Sequence, residues 1–114
     1  MRIKAGIWVG AYVRRVNALA VPALVARRGD ADAGAIFIKL NTLDGFAQVL
    51  RPAASGDDAA ADQRFWVAAF KAPRAEGEVE TYLQRQREFD ADMWIIEVED
   101  RAGRHFLDDF VLSS

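Results

Sequence analysis

The stretch Arg27-Arg28-Gly29-Asp30-Ala31-Asp32-Ala33-Gly34-Ala35-Ile36-Phe37-Ile38-Lys39-Leu40 decides how this chain is read. One apolar run, Ala23 to Ala26, enters it, and a second, Ala35 to Leu40, leaves it. Between them Gly29 and Gly34 bracket the carboxylates of Asp30 and Asp32. Short apolar runs separated by glycine and aspartate read as strands joined by a turn, so the stretch predicts a β-hairpin with an acidic tip. Tips held by a rigid scaffold are where binding chemistry concentrates, which puts Asp30 and Asp32 among the candidate site residues.

Toward the C-terminus, Leu43-Asp44-Gly45-Phe46 carries the Asp-Gly pair of a tight hairpin, and Phe46 to Arg51 follows as a strand. Pro52 to Gln63 is rich in alanine and aspartate and has no large apolar anchor. It reads as a mobile, replaceable loop, because closure entropy changes slowly with loop length. Arg64 to Lys71 is apolar on both faces, which predicts a central strand. Helical period returns over Glu78 to Phe89, with Val79, Tyr82, Leu83, Gln86 and Phe89 on one stripe. Glu76, Glu78 and Glu80 lie near the positive end of that helix dipole. Met93 to Asp100 alternates, Trp94, Ile96 and Val98 on one face and Ile95, Glu97 and Glu99 on the other. Arg101 to Arg104 then turns the chain, and His105 to Val111 is expected to pair back as a last strand.

Toward the N-terminus, Ile3 to Ala20 reads as a helix stopped by Pro22, its stripe running through Ile7, Ala11 and Ala18 beside Trp8, Tyr12, Arg15 and Leu19. Gly6-x-x-x-Gly10 would let another backbone approach closely. Strands joined by short turns must be antiparallel. The expected fold is therefore a single α+β domain over residues 1–114: an antiparallel meander sheet of about five to six strands with two helices on one face. Trp94, Ile96 and Val98 would share a core with Val79, Tyr82 and Leu83. The uncovered face would carry Phe37, Phe65 or Trp66, and Phe70, and the meander would leave open edges. Both features predict a homodimer.

Composition narrows function by exclusion. A chain of 114 residues can build one core without staples. Its formal charge of −2 argues against a general nucleic-acid binder. Without cysteine there is no disulfide framework, thiolate nucleophile or thiolate metal site, and His105 alone cannot make a histidine-rich zinc site. Any metal would be a hard cation on carboxylates. No serine stands in a nucleophile elbow and no glycine-rich phosphate loop precedes a helix, so neither a catalytic residue nor a cofactor is assigned. Arg2 and Lys4 precede the apolar residues Ala5 to Val13, but Arg14 and Arg15 interrupt them and the stretch is too short to span a bilayer. The expected location is the cytoplasm, with no membrane partner.

Asp30-Ala31-Asp32-Ala33-Gly34 shares the opening of a calcium loop, yet Asn41 stands where the bidentate glutamate belongs and the flanks are strands. A turn in which aspartate bonds its own backbone is the simpler reading, with weak divalent binding as the alternative. Glu97 and Glu99, beside Asp100 and across a turn from His105, form either a carboxylate pair for proton transfer or the wet face of a half-buried strand. Arg28 and Arg104 offer guanidinium groups to an anion, or pair with nearby acids. His105 is either a hydrogen-bonded structural residue or a base. These residues support a non-catalytic binding domain for a protein partner, for itself, or for a small anionic ligand, with Arg28, Asp30, Asp32, Glu97, Glu99, Arg104 and His105 as candidate contacts. The alternative is a divalent-metal-dependent hydrolase, which requires the 30–32 tip and the 97–100 strand to converge.

Three stretches also carry a resemblance: Arg-x-Lys-x-x-x-Trp-Val-x-Ala-Tyr over Arg2 to Tyr12, Arg-Arg-Gly-Asp-Ala-Asp-Ala-Gly-Ala over Arg27 to Ala35, and Phe-Asp-x-Asp-x-Trp-x-x-Glu-Val-Glu-Asp-Arg-x-Gly-Arg-His-Phe over Phe89 to Phe106. Together they resemble a family of small alphaproteobacterial proteins, domain of unknown function 1491, over nearly the whole chain except the Pro52 to Gln63 loop. The resemblance implies a single-domain, bacterial, cytoplasmic protein and supplies no activity, cofactor or site residue.

Overall fold

A computed structural model describes residues 2–53 and 63–113. Its elements run α1 (Ala5–Ala18), β1 (Ala23–Arg27), β2 (Ile36–Asn41), β3 (Phe46–Pro52), β4 (Trp66–Ala68), β5 (Arg74–Ala75), α2 (Glu76–Phe89) and β6 (Trp94–Glu99). A 3₁₀ turn, Asp108–Phe110, and β7 (Val111–Leu112) follow. The strands form one sheet in the order β1-β6-β2-β3-β4-β7, with β5 on β3. The predicted loop Pro52 to Gln63 falls mostly on residues 54–62, outside the described residues.

The fold is α+β, but the sheet is mixed rather than an antiparallel meander. β6 lies between β1 and β2, antiparallel to β1 with Val25 opposite Ile96, and parallel to β2 with Ile38 opposite Ile96. The predicted hairpin at Arg28 to Ala35 is therefore a crossover. The chain reverses there as expected, but its two legs stand one strand apart and β6 fills the gap. β6 takes the centre because Trp94, Ile95 and Ile96 are apolar on both faces, and such a strand is cheapest where both faces are covered. The centre was expected at Arg64 to Lys71. Only Trp66–Ala68 is strand there, between β3 and the short β7, with Trp66 alone fully buried. The Asp44-Gly45 hairpin does form between β2 and β3, Leu43 and Gly45 taking φ of 62° and 90°.

The two helices cover opposite faces, not one. Ala5, Val9, Tyr12 and Val16 of α1 pack with Trp94, Ile96 and Val98. Val79 and Leu83 of α2 pack with Phe37, Ala47, Val49, Met93 and Ile95 on the other side. The shared core expected for Trp94, Ile96, Val98, Val79 and Leu83 is thus two cores separated by the sheet. The cause is that β2 and β6 alternate apolar residues toward both faces, and each face needs its own cover. Within α1 the buried stripe runs 5, 9, 12, 16, and Ile7 of the expected stripe is 62% exposed. Phe89, at the end of α2, is 87% exposed.

The C-terminal segment does not pair back on β6, whose two sides are already taken. After the Gly103 turn (φ 68°) it crosses the α1 face and meets β4 in parallel as β7, Trp66 opposite Val111. The Tyr12 hydroxyl donates to the His105 carbonyl at 2.7 Å, and Leu107 is buried in the α1-side core. At the opposite edge of the sheet, the Asn17 side-chain amide donates to the Ala23 carbonyl at 3.0 Å and accepts the Ala23 N–H at 2.8 Å. One residue of the β1 edge is thereby covered by a side chain acting as a strand. Among the described residues no helix is long and apolar enough to cross a membrane.

Candidate functional site

The acidic tip is built as a joint. The Asp30 carboxylate accepts the N–H groups of Asp32 (3.2 Å) and Ala33 (2.8 Å), the self-bonded turn expected of aspartate. Asp30 N–H donates to the Asp92 carbonyl, and Trp94 Nε1 donates to the Asp30 carbonyl at 2.8 Å. The carbonyls of Ala31 and Asp32 accept the N–H groups of Gly6 and Ala5, the first donors of α1, which has no side-chain cap. The close approach expected of the Gly6-x-x-x-Gly10 pair is therefore made at Gly6 by the Ala31 backbone. Asp32 pairs with Lys4 at 3.6 Å, both in solvent, and the Arg28 guanidinium lies 5.9 Å over the Trp94 ring. Asp30 and Asp32 thus tie α1 to β6.

Glu97 lies three residues further along β6, about 10 Å of strand, and points to the α2 face. The tip and the 97–100 acids are not brought together, so the convergence that a metal hydrolase would need is absent. Among the described residues no group of three or more histidine, aspartate or glutamate side chains gathers to hold a metal ion. Asp100 is held by Arg104 through three bonds, Nη2 to Oδ1 at 2.8 Å, Nε to Oδ2 at 3.0 Å and the backbone N–H to Oδ2 at 2.8 Å. The guanidinium keeps the Asp100 carboxyl below its ordinary range. His105 uses Nδ1 to accept the Leu107 N–H at 3.0 Å, and burial lowers its pKa against the opposing charge of Asp108. Glu99 stands on the same face as Glu97.

Glu97 belongs to a cluster that sequence reasoning missed. Lys39 is buried at 2% exposure in β2, in register with Glu97, and donates to Glu76 at 3.0 Å and to Glu80, with Glu97 at 3.7 Å. Asn41 donates to Glu97 at 3.1 Å. Burial opposes the Lys39 charge, but the bonds to Glu80 and Glu76 outweigh it and hold the ammonium above its ordinary range. A signal was present: a lysine inside Ile36 to Leu40 demands acids, and Glu76 and Glu80 stand one helical turn apart. The cluster staples the start of α2 to the sheet.

A concavity of mixed chemistry lies elsewhere, between α1 and the segment that follows Arg104. It encloses about 360 Å³ and is walled by Trp8, Trp66, Phe106 and Phe110, with Arg15 and Arg64 at its sides. Trp8 stacks on Tyr12 (5.0 Å between ring centres, 14° between planes) and leans on Trp66 at 5.0 Å. The Arg15 guanidinium lies 5.6 Å over the Tyr12 ring. Burial, and then the like charge of Arg2, lower the pKa of Arg64. A second hollow of about 280 Å³ adjoins it and shares Gln63, Arg64 and Trp66. Sequence reasoning placed Trp8 and Tyr12 on the first helix, Trp66 in a strand and Phe106 and Phe110 in the last strand, and made no site of them. Trp8, Tyr12 and Arg15 at i, i+4, i+7 and Arg64 and Trp66 at i, i+2 do share faces, but only the path of the C-terminal segment makes them a cleft.

A family model described as "Protein of unknown function (DUF1491)" matches residues 3–108. The chain belongs to the DUF1491 family. Solved structures agree with this. A crystal structure of a DUF1491 protein from Caulobacter crescentus CB15 is 36% identical, with a TM-score of 0.81, covering 99% of this chain and 100% of that one. An NMR structure of a DUF1491 protein from the same organism is 38% identical over 99% of each chain, also at 0.81. A solution structure from A. tumefaciens is 34% identical over 87% of this chain and 86% of that one, with a TM-score of 0.75. No match to a curated protein was found. DUF1491 membership accounts for the fold and brings no activity with it.

Proposed function

We propose that this DUF1491 domain is a non-catalytic binding module and that it takes a small anionic ligand in the cleft between α1 and the segment after Arg104. One observation carries the reading: a hollow of ligand size in which aromatic walls meet the guanidinium groups of Arg15 and Arg64. Small-molecule sites combine this kind of apolar wall with a few placed polar groups, and guanidinium suits carboxylate and phosphate. Of the residues first expected to serve, Asp30, Asp32, Glu97 and Arg104 are engaged by the protein itself, which moves the site to Arg15 and Arg64. The cytoplasm is the compartment we propose for it, since Arg14 and Arg15 break the N-terminal apolar stretch. Thermal unfolding with matched anionic and neutral compounds tests the reading. A ligand at 100 times its Kd adds about 2.7 kcal/mol to stability. The anion should raise Tm more than its neutral amide, and Arg64→Gln should remove the difference. Equal shifts from anion and amide would overturn the assignment.

Self-association is proposed as well, through an edge rather than a face. The aromatics that motivated it are covered within one chain, Phe37 and Phe70 on the α2 side and Trp66 on the α1 side. What favours a second copy is the β1 margin, where Leu24 is 48%, Val25 41% and Ile7 62% exposed.

A further inference from the structure

We infer that the anion taken by the cleft is carried on a planar aromatic ring, seated against Trp8 and Phe106. This rests on the reading of the cleft as an anion site and adds the chemistry of the rest of the ligand. Trp8 is half-buried and packed against both Tyr12 and Trp66, so the part of its ring that lines the cleft is presented at little ordering cost on binding. Phe106 forms the other wall, and it is one of four described non-glycine residues, with Ala20, Leu43 and Asp108, whose backbone is left-handed. Its φ is 59°, and Asp108, two residues on and also in the wall, has φ of 49°. Bulky residues avoid this left-handed region, and such strain persists only where the surroundings impose it, most often at binding sites. The surroundings here are Tyr12 bonding the His105 carbonyl, Leu107 bonding His105 Nδ1, and Arg104 at 5.2 Å over the Phe106 ring.

A ring entering between these walls gains edge-to-face aromatic contact that a saturated body of equal size does not. Its charge belongs at Arg64, which is half-buried and lines the adjoining hollow with Arg2, where an anion would offset the burial and the like charge of Arg2 that disfavour that guanidinium. About 360 Å³, with the adjoining hollow of about 280 Å³ reached past Arg64, holds one or two rings and an acid group. An aromatic carboxylate and a nucleoside monophosphate share this chemistry.

The test is NMR titration of the full chain with phenylacetate, cyclohexylacetate, phenylacetamide and adenosine 5′-monophosphate, reading the indole resonances of Trp8, with Trp94 as internal control. Phenylacetate or the monophosphate should bind at least tenfold more tightly than cyclohexylacetate, and whichever is tighter identifies the source of the ring. Trp8→Leu should bring the ratio close to one. Phe106→Asn, which keeps a residue tolerant of positive φ and removes the ring, should do the same even if Trp8→Leu does not fold. Equal binding of cyclohexylacetate and phenylacetate overturns the ring and leaves the anion site standing. Phenylacetamide binding as well as phenylacetate, or no response of Trp8 to any anion, overturns both.

Discussion

A Cβ placed on Gly34 would lie 2.9 Å from the Asp30 carbonyl oxygen and 2.9 Å from the Trp94 ring, and one on Gly29 would lie 2.6 Å from the Met93 carbonyl carbon. These glycines are needed for close approach of the crossover to β6. Positive φ, the reason a hairpin would have supplied, is not involved. Gly34→Ala should therefore cost about 1–3 kcal/mol in denaturant unfolding, as overpacking does, and an unchanged midpoint would remove the argument. At His105 partial burial of the ring favours the neutral form, so the unfolded chain binds the proton more readily. The stability from this residue is complete above its unfolded pKa of about 6.5 and is lost as pH falls through the lowered folded value. Protonation would also place an N–H where the Leu107 N–H now donates. Titration of the ring protons should give a pKa below about 6.5, and a value at or above it would contradict this account.

At the scale of elements the controlling fact is that β6 separates two cores. Leu83→Ala empties the α2 side and should cost about 2–5 kcal/mol, while Ile96→Val trims the α1 side at about 0.5–1.5 kcal/mol. With the sheet between them the two losses should add within about 0.5 kcal/mol in the double mutant. A coupling well above that would mean that the residues share one core after all. Much of this level was legible in the sequence. Both helices, the Asp44-Gly45 hairpin and the alternation of β6 follow from local period and turn chemistry, which depend on neighbouring residues. The position of β6 between β1 and β2 was not legible, because pairing partners 58 residues apart in β2 and 68 to 75 apart in β1 leave no local trace. The misplaced helix followed from this. Trp94 and Ile95 were correctly put on opposite faces, but nothing in a strand's own pattern says which helix meets which face. The site suffered most, since Trp8, Arg15, Arg64 and Phe106 come from three distant segments and become neighbours only in the fold.

For the molecule as a whole, the proposed two-fold dimer comes down to which backbone groups of β1 remain open. The Glu99 N–H donates to the Pro22 carbonyl, so by alternation Leu24 also turns its groups toward β6, and Ala23 and Val25 turn theirs outward. Asn17 occupies those of Ala23 and leaves those of Val25. Two copies paired antiparallel about Val25 would bring Ile7 and Val25 together across the axis and set Arg27 opposite Ala23 of the second copy, so that the arginines do not face one another. Asn17 limits the length of this pairing, as an edge guard does. Asn17→Ala should cost the monomer about 1–3 kcal/mol, from two bonds each worth about 0.5–1.5. It should also lengthen the open edge and raise the dimer fraction in sedimentation at tens of micromolar. Val25→Lys should return the chain to the 12.7 kDa monomer in either background. If wild type and Asn17→Ala both sediment at the monomer mass and do not change on concentrating, the edge is closed by β1 itself and the dimer falls.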